Sequence, residues 1–525
     1  MSLLKYYRAL AVSTNCQRLF LAWTSKLTVY NRKNLKGENI MPTRRQITFD
    51  DETIQYLFGF EDAESESIAR LKEYYFKKDT FNRVTASLPI RLLVGHKGTG
   101  KSALFKVAIS EEKEKGNLPI LIKPDDIAEL GKNNENFLLR IRQWKYGLIK
   151  IIGEKVFNEF DIHDEKITSK LTQFGLKIVS YVADSVIALR DSVDLTPSQK
   201  ILIDNFLKSK KIIVYIDDLD RGWEGKKEDI IRISALLNCI RDMANENPGL
   251  LFKVSLRSDV YYLVRTSDES TDKIEGSVVW CKWTNHEIFV LLIKRIMTFF
   301  GEDVDEEKLL ATPQEHLRFY LDGVMERTFS GRGKWSNVHM YKVLMSLIRK
   351  RPRDLVKLCS LAAQQAQFAD SNIILTSHFQ AIFEEYSQGR IQDTINEYKS
   401  ELPYIEKLLF GMRPSVKEKA TGLGYVYTTS QLMTKLNKII QNNNFKFKNG
   451  NQASPKELAQ FLYKINFLTA RKVLETGEIQ RKYFEENRYL SSAFVDYGYD
   501  WEVHPAFRWA LQPENVNDIF DKLDL

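Results

Sequence analysis

Five short apolar runs punctuate the first three hundred residues: Ile90–Val94, 118–123, Ile212–Ile216, Leu250–Leu256 and 278–283. Each is too short for a globular helix and rich in branched side chains. The pattern predicts strands buried on both faces of a parallel sheet. Between them, apolar residues recur at helical spacing, over 50–85, from Lys101 onward, across 134–208, over 230–243 and over Asn285–Phe300. Pro124-Asp125-Asp126 closes the second run, and Asn247-Pro248-Gly249 stops the helix before the fourth. Strand-to-helix alternation of this kind predicts an α/β fold with a doubly wound parallel sheet.

Beyond Glu302 the pattern turns helical as far as about Phe383, then changes character. Helices are expected over 391–412, 430–441 and 455–466, separated by G-L-G-Y-V-Y and by the Asn/Lys-rich stretch Q-N-N-N-F-K-F-K-N-G-N-Q. Strand-like pieces follow, so the tail reads as mostly helical and winged-helix-like. Four regions result: a basic leader over 1–40, a sheet domain over 41–300 with a helical insertion at about 134–208, a helical lid over 301–388, and the tail over 389–525. A length of 525 residues agrees with several domains of roughly 100–200 residues each.

Composition changes this picture in three places. With 43% hydrophobic residues the chain can bury sizeable cores. The four cysteines, Cys16, Cys239, Cys281 and Cys359, are far apart with no C-x-x-C pair, which points to a reducing, cytoplasmic setting without disulfides or zinc. No apolar run reaches the roughly 18 residues of a membrane span, so no membrane partner is expected. The net charge of +8 suggests nucleic acid until it is located. Residues 1–40 hold seven basic side chains and one acidic, and the remainder carries 70 Lys and Arg against 68 Asp and Glu. The leader reads as a misplaced start ahead of Met41 or as a targeting segment, and in either case stands outside the fold.

The chemistry concentrates where strand meets helix. After Val94 comes G-H-K-G-T-G-K-S-A, covering Gly95, His96, Lys97, Gly98, Thr99, Gly100, Lys101, Ser102 and Ala103. This is the G-x-x-x-x-G-K-[ST] cradle: glycines let backbone N–H groups close on a polyphosphate, Lys101 adds charge, and Ser102 offers a hydroxyl to Mg²⁺. The third apolar run ends in D-D-L-D-R, which places Asp217 and Asp218 at a strand's carboxyl end, where open α/β sheets bind ligands. Asp217 is expected to hold Mg²⁺, and Asp218 to orient and deprotonate the attacking water. Arg257 or Ser258, after the fourth run, is placed either to sense a γ-phosphate or, for Arg257, to pair with a nearby carboxylate. In I-R-K-R-P-R-D-L, Pro352 suits a first helical turn, and Arg351 and Arg353 beside it read either as lid arginines on the phosphates or as a solvated basic helix start. An arginine supplied by a second copy is the other option, with Arg221, Arg295 and Arg332 as candidates. His504, before Pro505, reads as a core or turn histidine.

Together G-H-K-G-T-G-K-S-A, I-D-D-L-D-R, S-L-R-S-D-V and R-P-R-D-L resemble prokaryotic P-loop ATPases allied to the KAP and STAND/AAA+ groups, D-D-L-D-R being most like KAP. The resemblance spans roughly residues 58–363. It implies a P-loop NTPase fold, ATP and Mg²⁺ as ligands, the roles already given for Lys101, Ser102, Asp217 and Asp218, and a lid sensor at Arg353 or Arg351. It also implies a setting in phage defence or signalling, an association that fold alone does not establish. Many KAP ATPases carry membrane helices in the nucleotide domain, but the insertion here is amphipathic and charged. With no Ser/His/Asp set, clustered metal ligands or nuclease motif in the sequence, the leading expectation is an ATP-driven switch acting on a partner protein, with nucleotide-dependent self-association. The alternatives are a DNA-handling ATPase gripping duplex through the tail, and a nucleotide-binding scaffold without useful turnover.

Overall fold

A computed structural model describes residues 46–132, 136–160, 177–190, 196–420, 424–448, 450, 452–475, 479–487, 490, 498–512 and 519. The leader 1–40, with Cys16, lies outside the described residues, as do parts of the 134–208 stretch.

Five parallel strands form the central sheet: β1 (Ile90–Val94), β2 (Leu118–Ile122), β3 (Ile212–Ile216), β4 (Leu250–Leu256) and β5 (Val278–Trp280). Their order is β2-β3-β4-β1-β5. All of β3 and β4 is buried, because helices cover both faces. Phe105, Leu104 and Tyr74 pack on one face, and the helices Phe137–Glu159 and Lys227–Glu246 on the other. β5 is shorter than the 278–283 expected: Cys281 continues only as far as a backbone bond to Val94, and the chain then turns toward the helix Asn285–Phe300. β4 separates the strand that leads into the glycine loop from the strand that ends in Asp217. The tip of β4 therefore lies between the two halves of the expected site.

A second core surrounds the helices Asn285–Phe300, Met340–Leu347, Pro352–Phe368 and Thr376–Tyr398, with a small hairpin of β6 (Thr328–Ser330) and β7 (Ser336–His339) beside it. The helix expected over 391–412 is instead the end of Thr376–Tyr398 followed by a separate helix, Ile405–Gly411. Pro403 cannot continue a helix interior, and Tyr404 takes a left-handed φ of 65° to restart the chain. Gly389 passes inside the long helix without breaking it.

The tail carries a four-stranded antiparallel sheet of β8 (Val426–Tyr427), β9 (Leu468–Val473), β10 (Ile479–Lys482) and β11 (Asp500–Val503), in the order β10-β9-β11-β8. The helices Thr429–Asn442 and Pro455–Lys464 lie between β8 and β9, a winged-helix-like arrangement. His504 is buried in it, accepting from the Ala506 N–H at 3.1 Å and meeting the Tyr483 hydroxyl at 2.9 Å. Cys239, Cys281 and Cys359 are buried free thiols, and among the described residues no helix is long and apolar enough to cross a membrane.

One buried ionic knot ties these layers. Arg349 grips Asp354 with two N–H groups at 2.8 and 2.9 Å, and Arg390 from the long helix adds a third at 2.8 Å. Burial alone would raise the Asp354 carboxyl, but Arg349 and Arg390 outweigh it and hold the group far below the carboxylate range. Its contribution is thus present above the unfolded carboxylate pKa and fades only as pH falls well below it. Asp354→Ala would leave the buried Arg349 guanidinium without its paired carboxylate and Arg390 with only the exposed Asp393, an expected loss of about 3–5 kcal/mol. Urea denaturation checks this, and a loss below about 1 kcal/mol would show that the knot carries little of the fold.

Candidate functional site

The loop after β1 is shaped by close approach. A Cβ on Gly95 would lie 2.9 Å from Cys281 Cβ and from Thr99 Oγ1, so no larger residue fits without displacement. Gly98 and Gly100 take φ of 81° and 88°, a region that favours glycine. Gly100 heads the helix Lys101–Glu114, whose start no side chain caps. Its first-turn N–H groups lack intrahelical acceptors, the arrangement that suits an anion.

A loop that turns its amides inward turns its carbonyls outward, and those of Gly95, His96, Gly98 and Thr99 find donors. Lys101 Nζ donates to Gly95 O at 2.9 Å and to His96 O at 3.1 Å. Thr99 Oγ1 also donates to His96 O, at 2.8 Å. The Arg353 N–H donates to Gly98 O at 3.3 Å, and Trp283 Nε1 to Thr99 O at 2.8 Å. The His96 side chain points away from the cleft, and burial, then Arg351 and Arg257, push its imidazole well below the usual range, leaving it neutral.

The loop forms one wall of a cleft of about 570 Å³, large enough for a nucleotide. Lys97, Lys101, Ser102 and Ala103 line it, and Asp217 and Asp218 face them from the tip of β3. Asp217 Oδ1 accepts from the Asp218 N–H at 2.9 Å and from the Ser255 hydroxyl. Asp218 adopts φ 59°, which aspartate tolerates better than most residues. Its carboxylate is half-exposed and takes one bond, from Arg221 Nε at 3.0 Å. The Ser102 hydroxyl and the Asp217 carboxylate are an all-oxygen donor pair, which suits Mg²⁺ held by one carboxylate, phosphates and water. Phe60, Ala63, Leu71, Tyr74 and Val356 also line the cleft, alongside the acidic Glu61, Asp62 and Glu64.

The arginines divide. Arg353 lines the cleft opposite Gly98, with Nε donating to Glu61 O at 2.9 Å. Arg351 does not reach the cleft: its guanidinium is buried and lies 3.6 Å from the Glu397 carboxylate. Arg257 touches the cleft from the centre of an ion cluster, with Asp259 bound at 3.0 and 2.6 Å and Asp220 at 3.5 Å. The expected carboxylate pairing is thus present, while Arg257 still lines the cleft. Burial raises the Asp220 carboxyl despite Arg257 beside it. Ser258 is fully buried and faces His96 rather than the cleft. Of the candidates for action on a second copy, Arg295, over the Tyr74 ring at 4.4 Å, and the exposed Arg221, paired with Asp218, both line this chain's own cleft, whereas Arg332 is exposed outside it. Two contributors escaped the sequence reading. Ser255 had a signal, a hydroxyl inside an otherwise mainly apolar strand, whereas Glu397 had none.

The strand order, the glycine loop and the carboxylates at the tip of β3 define a P-loop NTPase fold with a nucleotide cleft. No family model matches the chain. Among curated proteins it is similar to the putative transposon gamma-delta 80.3 kDa protein of Escherichia coli K12, 21% identical over 492 residues and covering 83% of this chain. The chain spans 65% of that relative's length. Similar solved structures include the Walker-type ATPase of Pyrococcus abyssi (TM-score 0.40, 13% identity, covering 89% of this chain and 100% of that one). Another is the ORC2 protein of Aeropyrum pernix (TM-score 0.38, 12% identity, covering 90% and 97%).

Lys101→Ala removes the cationic end of the cradle and, with it, the donor to Gly95 O. Titration with a fluorescent ATP analogue should show most of the affinity gone, and undiminished binding would place the nucleotide elsewhere.

Proposed function

We propose that this chain binds ATP with Mg²⁺, hydrolyses it, and passes its nucleotide state to a partner protein. The observation that carries the reading is the convergence of Lys101, Ser102, Asp217 and Asp218 on one cleft, from two strands separated by a third. Lys101 and the first-turn N–H groups bind and orient the phosphates. Asp217, fixed by Ser255, and Ser102 would hold Mg²⁺, which when bound neutralises phosphate charge. Asp218 keeps part of its carboxylate exposed to the cleft and orients a water against the terminal phosphate, taking its proton as the oxygen attacks. Arg353, tied to Gly98, adds positive charge where charge develops.

The pathway we assign follows the KAP- and STAND-like motifs: bacterial anti-phage defence or signalling. A relative named as a transposon protein suits a chain at the boundary between mobile DNA and its host. Duplex binding by the tail gains less support, because its second helix is turned inward. There Lys464 pairs with Glu401, and Phe461 meets the Tyr398 ring edge-on at 6.1 Å.

Asp218→Asn should keep ATP bound and slow hydrolysis by about 10²–10⁴. Phosphate release beside nucleotide titration reads both, and normal turnover would move the base to Asp217 or Asp220.

Arg353→Ala should impair hydrolysis at every protein concentration. Specific activity that instead rises with protein concentration would mark an exposed arginine, Arg221 or Arg332, acting between copies in a nucleotide-dependent assembly.

A further inference from the structure

The second residue of the phosphate loop faces the wrong way for a ligand. His96 is 1% exposed and turns its ring into the body of the protein. Nδ1 lies 3.0 Å from the hydroxyl of Ser258, the residue that follows Arg257 at the tip of β4. Nε2 lies against the carboxylate of Glu485, in the segment 483–487 that follows β10 in the tail. That segment is itself anchored. Asn466 Nδ2 donates to Glu485 at 3.2 Å, Lys350 pairs with Glu486 at 2.5 Å, and Phe484 meets the Tyr262 ring at 5.7 Å. The His96 backbone carbonyl accepts from Lys101 Nζ at 3.1 Å. One residue thus touches the phosphate-binding lysine, the tip of the central strand and the tail.

We infer that His96 is a positioning residue through which Glu485 couples the phosphate loop to the tail, so that nucleotide binding and docking of segment 483–487 strengthen each other. The inference rests on the nucleotide-binding reading above and names the regulation of that site. The physical reason is preorganisation. A glycine-rich loop has many conformations to lose when it closes on an anion. A side chain clamped at Ser258 and Glu485 removes part of that freedom before the ligand arrives, which improves affinity without contacting the ligand. Thermodynamic reciprocity then requires the bound nucleotide to hold the tail segment more tightly by the same factor. His96 does not react, and its role is to keep the loop in the shape that Lys101 and the N–H groups use.

The test uses the full chain, with Mg²⁺–ATPγS as the probe and two readouts. Hydrogen exchange of the 483–487 amides should slow about 5–10-fold when the probe binds, a coupling within the usual range for linked sites. Glu485→Ala should weaken probe affinity by about the same factor and abolish the probe's effect on exchange. Glu485→Gln, which keeps an oxygen facing Nε2, should restore both to within about 2–3-fold of the native values, a rescue that general destabilisation would not give. Native affinity in Glu485→Ala, with exchange at 483–487 indifferent to bound probe, overturns the coupling and leaves the nucleotide site standing. If the native chain does not bind the probe at all, the nucleotide reading fails and the coupling falls with it.

Discussion

A phosphate cradle imposes a debt of donors on its surroundings. When Gly95–Gly100 directs amides at one point, the opposite carbonyls must be satisfied from behind, because buried unpaired carbonyls are costly. In this chain two donors come from distant parts of the sequence, Trp283 after β5 and Arg353 at the start of a lid helix, and a third, Lys101, from the loop's own helix. The loop is therefore where the sheet, the lid and the tail meet.

Behind the loop lies an unusual density of buried charge. Arg257, Asp259, Arg351 and Glu397 are nearly excluded from solvent and lie within ion-pair distance of one another in sequence. Such clusters are weak contributors to stability, since desolvation cancels much of the attraction. They are, however, intolerant of misalignment, because a displaced partner leaves a bare charge in a dry environment. Glu397 on the long helix can serve Arg257 and Arg351 together only when the lid, the long helix and β4 are in register. This argues that the cluster specifies how the lid sits on the sheet more than how strongly it sits there.

How much of this was legible in the sequence depends on range. β1, β3, the glycine loop and the two carboxylates were readable because each is a local pattern: a buried run, a fixed glycine spacing, polar residues at a strand end. The helix Asn285–Phe300 was readable for the same reason. Arg351 and Arg353 flank one proline and look equivalent on paper, yet only Arg353 faces the cleft, because Glu397 captures the other from a helix that no local pattern connects to it. Ser258 and Arg257 looked like rival sensors, but Asp259 claims the arginine and His96 faces the serine. The contact between His96 and Glu485 joins positions hundreds of residues apart and leaves no local trace.

The acidic tip of β3 sets a further condition on any ligand. A phosphate resting on Lys101 would share the cleft with Asp217 and Asp218, and two like unit charges about 4 Å apart repel by about 4 kcal/mol at an effective dielectric of 20. Arg221 offsets part of the Asp218 charge, but its side chain is more than half exposed and therefore screened. The two donors on Asp217 Oδ1, an N–H and a hydroxyl, are neutral and leave its full negative charge in place. Six cationic side chains line the cleft (Lys97, Lys101, Arg221, Arg257, Arg295 and Arg353), but seven acidic ones line it too, so no surplus of positive charge is left for a polyphosphate. Electrostatics thus favours a nucleotide that arrives with a divalent cation, whose charge reverses the sign of the interaction with Asp217. Carboxylates so placed would discriminate between metal-complexed and free nucleotide before any chemistry begins, a selectivity set by the spacing of strands β1 and β3 across β4.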